Sequence, residues 1–165
     1  MKLILVILVF LNHISVFAKV AFGVYLLRDS SINAIDAANI GLNNLKLSDD
    51  PLWSLRDFEY YKCTGHEFKL KQMEINKMPK GSLKGLPFVF IANNLRIYLG
   101  AFWTSFSSFS FGYPVIDTEL FKATGDLKIM RAYPHDGFAI GDDPRSSLEI
   151  IYQFKKNHIL RDSCP

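Results

Sequence analysis

Residues 85–116 read GLPFVFIANNLRIYLGAFWTSFSSFSFGYPVI, and no other stretch constrains the fold as much. Phe88 to Ala92 is an unbroken apolar run, Asn93-Asn94 follows, and Leu95 to Phe102 returns. Asparagine enters the left-handed region more readily than most residues, so Asn-Asn between two such runs predicts a two-residue hairpin loop. Neither run alternates with polar residues. Both strands are therefore expected to be central.

The rest of the chain supplies shorter elements around this hairpin. Ala21 to Leu27 reads as a strand, and Ser31 as the cap of a short helix that ends at Gly41. Pro51 keeps Asp50 out of the helical region, and Ser54 can cap a single turn over Leu55 to Phe58. In Tyr60 to Leu70, His66, Phe68 and Leu70 share one face, with Thr64-Gly65 marking a hairpin turn or a bulge. Gln72 to Met78 reads as a short helix. Pro114 to Ile116 and Leu127 to Tyr133 read as strands separated by a helical turn over Thr118 to Thr124. Asp143-Pro144 is a cap followed by proline at the first helical position, which predicts one helix running to about Asn157 with Leu148, Ile151 and Tyr152 facing the sheet. Strands outnumber helices and join through short turns. The expected class is α+β: a largely antiparallel sheet with helices packed on one face.

The amino terminus has the form of an export signal. Met1-Lys2 is a short positive region, Leu3 to Leu11 is apolar throughout, and Val16-Phe17-Ala18 places small or aliphatic residues at a cut after Ala18. The expected organisation is a signal peptide over 1–18 and a single globular domain over 19–165, exported to a periplasm-like space or secreted. The apolar run stops at Asn12, well short of the roughly 20 residues a membrane-spanning helix needs. A net charge of +3, which falls by one when Lys2 leaves with the signal, is too weak and too dispersed for nucleic-acid binding.

Export changes how the two cysteines read. In an oxidising compartment Cys63 and Cys164 can pair, or Cys63 can be a core residue and Cys164 a free thiol in the tail. The serine-interrupted aromatic set Phe102, Trp103, Phe106, Phe109, Phe111 and Tyr113 fits neither helical nor strand periodicity and reads as a long loop. It is either a small core beneath that loop or an aromatic surface for a partner protein, a peptide or a sugar ring.

Catalytic signatures are sparse. His135, Asp136 and Asp142 gather an imidazole and carboxylates on one stretch and form the candidate metal or acid/base group, although Asp136-Gly137 also reads as turn chemistry and Asp143 as a helix cap. His66 lies among apolar neighbours and reads as structural; His158 reads as a cap at the end of the last helix. Ser105, Ser107, Ser108 and Ser110 lack the context of a nucleophile elbow. No catalytic residue and no cofactor are assigned.

One resemblance follows from these residues. The order Pro51-Leu52-Trp53-Ser54, Asp57-Phe58, His66-Glu67-Phe68-Lys69-Leu70, Gly85 to Ile91 and Pro114-Val115-Ile116 resembles the exported head domain of SecD/SecF-type translocation proteins. Tyr98 to Thr104, YLGAFWT, resembles a segment of small exported proteins of unknown function. The likeness covers residues 45–116. It implies an α+β fold and a non-enzymatic, protein-contacting role, and it brings no catalytic residue; the motor proteins' membrane segments have no counterpart here, so transport is not implied. The expected function is an exported protein- or peptide-binding module of the cell envelope. The alternative is a secreted hydrolase or metal-dependent enzyme built on His135, Asp136 and Asp142.

Overall fold

A computed structural model describes residues 21–124 and 127–164; the signal-peptide assignment lies outside them. The hairpin forms as the sequence requires. β5 (Leu86–Ala92) and β6 (Leu95–Trp103) pair antiparallel, and Asn93 and Asn94 turn the chain with φ of 51° and 63°. Side chains then alternate between two cores: Phe88, Phe90, Tyr98 and Phe102 enter one, while Val89, Leu99, Ala101 and Trp103 enter the other. Burial on both faces is the reason these runs carry no polar alternation.

Around the hairpin the chain builds one eight-stranded sheet. β1 (Gly23–Leu26) pairs with β5, and the short β2 (Trp53–Ser54) pairs with β1. On the other side, β7 (Val115–Asp117) runs parallel to β6, and β8 (Leu127–Met130), β4 (Glu67–Leu70) and β3 (Phe58–Lys62) continue antiparallel. The resulting order is β2-β1-β5-β6-β7-β8-β4-β3, largely antiparallel as expected. Its two edge strands, β2 and β3, are neighbours in sequence, separated only by a 3-10 turn over Leu55–Asp57. The sheet must therefore curl until its edges come within a few residues of each other. Ser54 and Asp57 form a capping box that fixes this turn, Asp57 accepting from both the backbone N–H and the hydroxyl of Ser54 at 2.7 Å.

The inside of the curl is aromatic. Phe22, Phe58, Phe68, Phe90, Phe154 and Tyr61 meet edge-on or stacked with ring centroids 4.7–6.4 Å apart. Gly23 permits β1 to approach β2: a Cβ there would lie 2.1 Å from the Trp53 carbonyl oxygen, and its φ of 150° is one that L side chains rarely adopt.

Helices sit on both faces, a correction to the expectation of one. α1 (Ala34–Ile40) places Ala34 and Ala37 against the outer face with Trp103, whereas α4 (Leu148–Lys156) places Ile150 and Phe154 in the inner core. α1 is capped by Asn33, whose side chain accepts from the Asp36 N–H, and not by Ser31. α2 (Gln72–Ile75) and α3 (Thr118–Thr124) are short connections. The single helix expected after Asp143 is two pieces. Asp143 caps a 3-10 turn over Pro144–Ser146, and Ser147 then caps α4 anew. That break changes the helical phase, so Ile150, Gln153 and Phe154 face inward while Leu148 and Tyr152 are exposed.

The outer edge of β3 is covered by the carboxyl-terminal tail. Tyr61 N–H donates to Ile159 O at 2.8 Å and Arg161 N–H donates to Tyr61 O at 2.9 Å, so the tail lies alongside as an added strand. Covering an edge removes a row of unpaired backbone groups that would otherwise recruit another chain. Asp162 accepts from the Cys63 N–H at 2.6 Å, the Thr64 N–H at 3.0 Å and the Thr64 hydroxyl, and a Cys63–Cys164 disulfide fastens the end. The bridge closes a separation of 101 residues. The chain-entropy account gives such a loop about 4–5 kcal/mol of stabilisation. A Cys63→Ser/Cys164→Ser protein is accordingly expected to lose about 4 kcal/mol in urea unfolding; a loss under about 1 kcal/mol would show that Asp162 and the strand pairing hold the tail unaided.

Candidate binding surface

Trp103, the last residue of β6, is the platform of the aromatic segment. It is fully buried, stacks on Phe111 with centroids 5.4 Å apart, and meets Tyr133 at 5.5 Å. Phe111 and Tyr133 exchange backbone hydrogen bonds at 3.0 and 2.9 Å, which joins the loop over residues 104–113 to the segment that follows β8. Gly85, with φ of 72°, lets the segment before β5 lie against the indole: a Cβ there would come within 2.5 Å of the ring. Thr118 closes the arrangement, its hydroxyl donating to Trp103 O and accepting from the Gly81 N–H, both at 3.1 Å.

The serines satisfy backbone groups. Ser107 Oγ donates to Leu83 O at 2.6 Å and accepts from the Phe109 N–H at 3.1 Å. The Tyr133 hydroxyl lies 3.0 and 3.2 Å from the carbonyl oxygens of Ser105 and Ser107 and donates to them. A loop tied in this way has little freedom left to lose. Among the described residues no base is hydrogen-bonded to Ser107, whose proton goes to the Leu83 carbonyl.

What the loop displays is apolar. Phe106 is 80% exposed and Phe109 42%, with Leu83 exposed beside them on the segment that Ser107 binds. The Lys84 ammonium sits 5.7 Å from the Phe109 ring centroid, a cation–π distance. On the other flank, the Ile140 N–H donates to Gly112 O at 2.9 Å and brings the exposed side chains of Phe138 and Ile140 next to the loop.

The expected aromatic set therefore divides. Phe102 belongs to the inner core, and Trp103 and Phe111 to the outer one, so these three are corrected from contact residues to core. Tyr113 is half-buried against Phe111, and Phe106 and Phe109 remain as surface. Leu83, Phe138 and Ile140 were not singled out by sequence. Their one signal is that an apolar residue stands inside a turn rich in Gly, Ser, Asp or Lys.

The proposed metal group is also corrected. His135 adopts an extended conformation that caps a 3-10 turn over Asp136–Phe138, and its Nδ1 accepts from the Gly137 N–H at 3.1 Å while its ring packs edge-on against Phe138. Among the described residues, no three His, Cys, Asp or Glu side chains converge as a ligand set, so His135, Asp136 and Asp142 do not form one. Turn chemistry accounts for the first two.

His66 belongs to a different group, one that periodicity could not bring together. Its Nδ1 lies 3.2 Å from the Tyr61 hydroxyl, which is 3.3 Å from Arg145 O. Asp143 receives the guanidinium of Arg145 at 2.6 and 2.8 Å, and Arg145 also donates to Ile129 O at 2.8 Å. His66 Nε2 is 3.9 Å from Asp143, too far for a hydrogen bond. Tyr61 is fully buried, and the network ties the turn before α4 to β3 and β8. The Arg145 hydrogen bonds lower the Asp143 pKa to about 2, and burial, aided by the Arg145 charge, lowers that of His66.

No known protein family, no curated protein and no solved structure matches this chain. The likeness to translocation head domains therefore contributes no residue to the site. No helix among the described residues is long and apolar enough to cross a membrane.

Two expectations follow. Trp103→Ala should cost about 3–5 kcal/mol, the range for truncating a buried large aromatic, whereas Phe106→Ala should change stability by less than about 0.5 kcal/mol. Equal costs in urea unfolding would place both residues in the core. The pH dependence has a fixed sign. Both shifted groups have folded pKa values below their unfolded ones, so the unfolded chain binds more protons and stability rises with pH. Stability should fall first as pH drops through 6.5, where unfolded His66 protonates, and again between 3.8 and about 2 as Asp143 is lost. His66→Asn, which tolerates the left-handed φ of 51° at this position, should flatten the first slope only; an unchanged slope would assign it to another group.

Proposed function

We propose that this chain is an exported, non-enzymatic module that binds another protein or a peptide through the rim formed by Leu83, Phe106 and Phe109, with Phe138 and Ile140 beside it. The carrying observation is Phe106, 80% exposed on a loop whose Phe111 is locked against Trp103 in the outer core. A loop serving only as a lid over the outer core would turn that ring inward, since burying a phenylalanine is worth about 1.5–3 kcal/mol. Here the ring is held outward on a backbone whose Ser105 and Ser107 carbonyls accept from the Tyr133 hydroxyl and whose Ser107 side chain is bonded to Leu83 O. Pre-ordering of this kind lowers the entropy cost of association. Aromatic residues are also enriched at interface centres.

Export is part of the same reading, and the Cys63–Cys164 bridge supports it, because such bonds persist in oxidising compartments. The hydrolase or metal-enzyme alternative finds no support at the His135 loop, where the imidazole nitrogen is engaged with backbone.

The test is photo-crosslinking in the native host, with the probe at Phe106 and a control at Met73, equally exposed on α2. One discrete adduct should form from position 106 alone, in the exported fraction, and excess unlabelled wild-type protein should compete it away while Phe106→Ala/Phe109→Ala protein does not. Adducts of equal yield from both positions, or none from 106, would overturn the assignment.

A further inference from the structure

The curled sheet leaves a seam. Between the start of β1, the turn joining β2 to β3, and α4 lies a cleft of about 570 Å³. It sits beside the Asn93-Asn94 turn, to which Ala21 and Gln153 are hydrogen-bonded, and so at the opposite end of the central hairpin from Phe106. Its volume falls in the roughly 300–1,000 Å³ range of small-ligand sites.

The floor is apolar, formed by Phe22 and Phe58 of the inner core with Leu55 and Ile159. Gln153 lines one end and is only 7% exposed. Its amide nitrogen donates to Asn93 Oδ1, and its amide oxygen accepts no hydrogen bond among the described residues.

The rim carries charges of both signs. Arg56 and Lys71 stand together, since the Lys71 N–H donates to Asp57 O at 2.9 Å. Asp49 and Asp50 line the cleft as well; Asp49 pairs with Arg28, while Asp50, Arg56 and Lys71 belong to no ion pair among the described residues. Unpaired charges of opposite sign around an apolar floor are complementary to a ligand that is itself dipolar with an apolar middle.

We propose that this cleft binds a short peptide with free termini and an apolar side chain. Its carboxylate meets Arg56 and Lys71, its ammonium meets Asp50, its side chain rests on Phe22 and Phe58, and a backbone N–H donates to Gln153. An extended tripeptide separates its terminal charges by about 10 Å, whereas a free amino acid carries both on one carbon. This site is independent of the Phe106 rim, and neither assignment rests on the other.

The experiment is calorimetric titration of the full chain with alanyl-phenylalanyl-alanine, free-ended, amino-acetylated or carboxy-amidated. The free-ended peptide should bind saturably with one site, and blocking either end should weaken it at least tenfold. Arg56→Ala/Lys71→Ala should then bind the free and amidated forms alike, and Asp50→Asn the free and acetylated forms alike, while Phe106→Ala leaves all values unchanged. Absence of saturable binding by the free-ended peptide, or equal affinity for free and doubly blocked peptide in the wild type, would overturn the proposal. So would charge variants that still discriminate against the blocked forms.

Discussion

Burial of the β5–β6 pair on both faces is the constraint from which the architecture follows. Two adjacent strands with large apolar groups above and below cannot sit at a solvated surface, so each face needs its own cover. The chain meets the two demands differently. On one side, Phe88, Phe90 and Phe102 are covered by the sheet itself, which curls until β3 and β4 return over them with α4. On the other, Val89, Leu99 and Trp103 are covered by α1 and by the loops that carry Phe111 and Tyr133. An open, flat sheet would have left one of these sets in water.

Curling creates a second requirement, at the edges. β2 is two residues long, too short to recruit a partner strand, and β3 is covered by the tail. The tail packs Ile159 and Leu160 against the inner core and is fastened by the disulfide and by the Asp162 carboxylate, which receives backbone N–H groups of Cys63 and Thr64. Closure by a covalent tie and a charge-assisted bond, and not by completed strand pairing, is what leaves a seam with an apolar floor open to solvent.

Local signals made part of this legible. The hairpin, its Asn-Asn turn and the Ser54 turn depend on neighbouring residues, and each formed where read. The two-piece helix shows where local reading fails. Asp143-Pro144 is a sound start, but nothing in the adjacent sequence announces that Ser147 will cap a second helix and shift the phase by which Ile150 and Phe154 turn inward. The aromatic segment divides for a related reason. Phe106 and Phe111 are indistinguishable in composition, and only the bonds from Phe111 to Tyr133, in the segment that follows β8, decide which ring is core. His66, Tyr61, Asp143 and Arg145 likewise meet only through the β3–β4–β8 order.

The two surfaces differ in how each resists collapse. A cleft over a core survives only if its walls are fixed, and here they are: β1 is pinned against β2 by the close approach at Gly23, the turn by the Ser54–Asp57 box, and α4 by Phe154 in the aromatic core. The Phe106 rim needs the reverse arrangement, rigid support beneath a side chain kept outward. Trp103 supplies it from the end of the same strand whose start forms the Asn-Asn turn. A single stiff hairpin thus sets the geometry of both ends. A substitution that loosened its middle, at Tyr98 or Leu99 for example, would disturb the two surfaces together, whereas changes in the loops themselves would separate them.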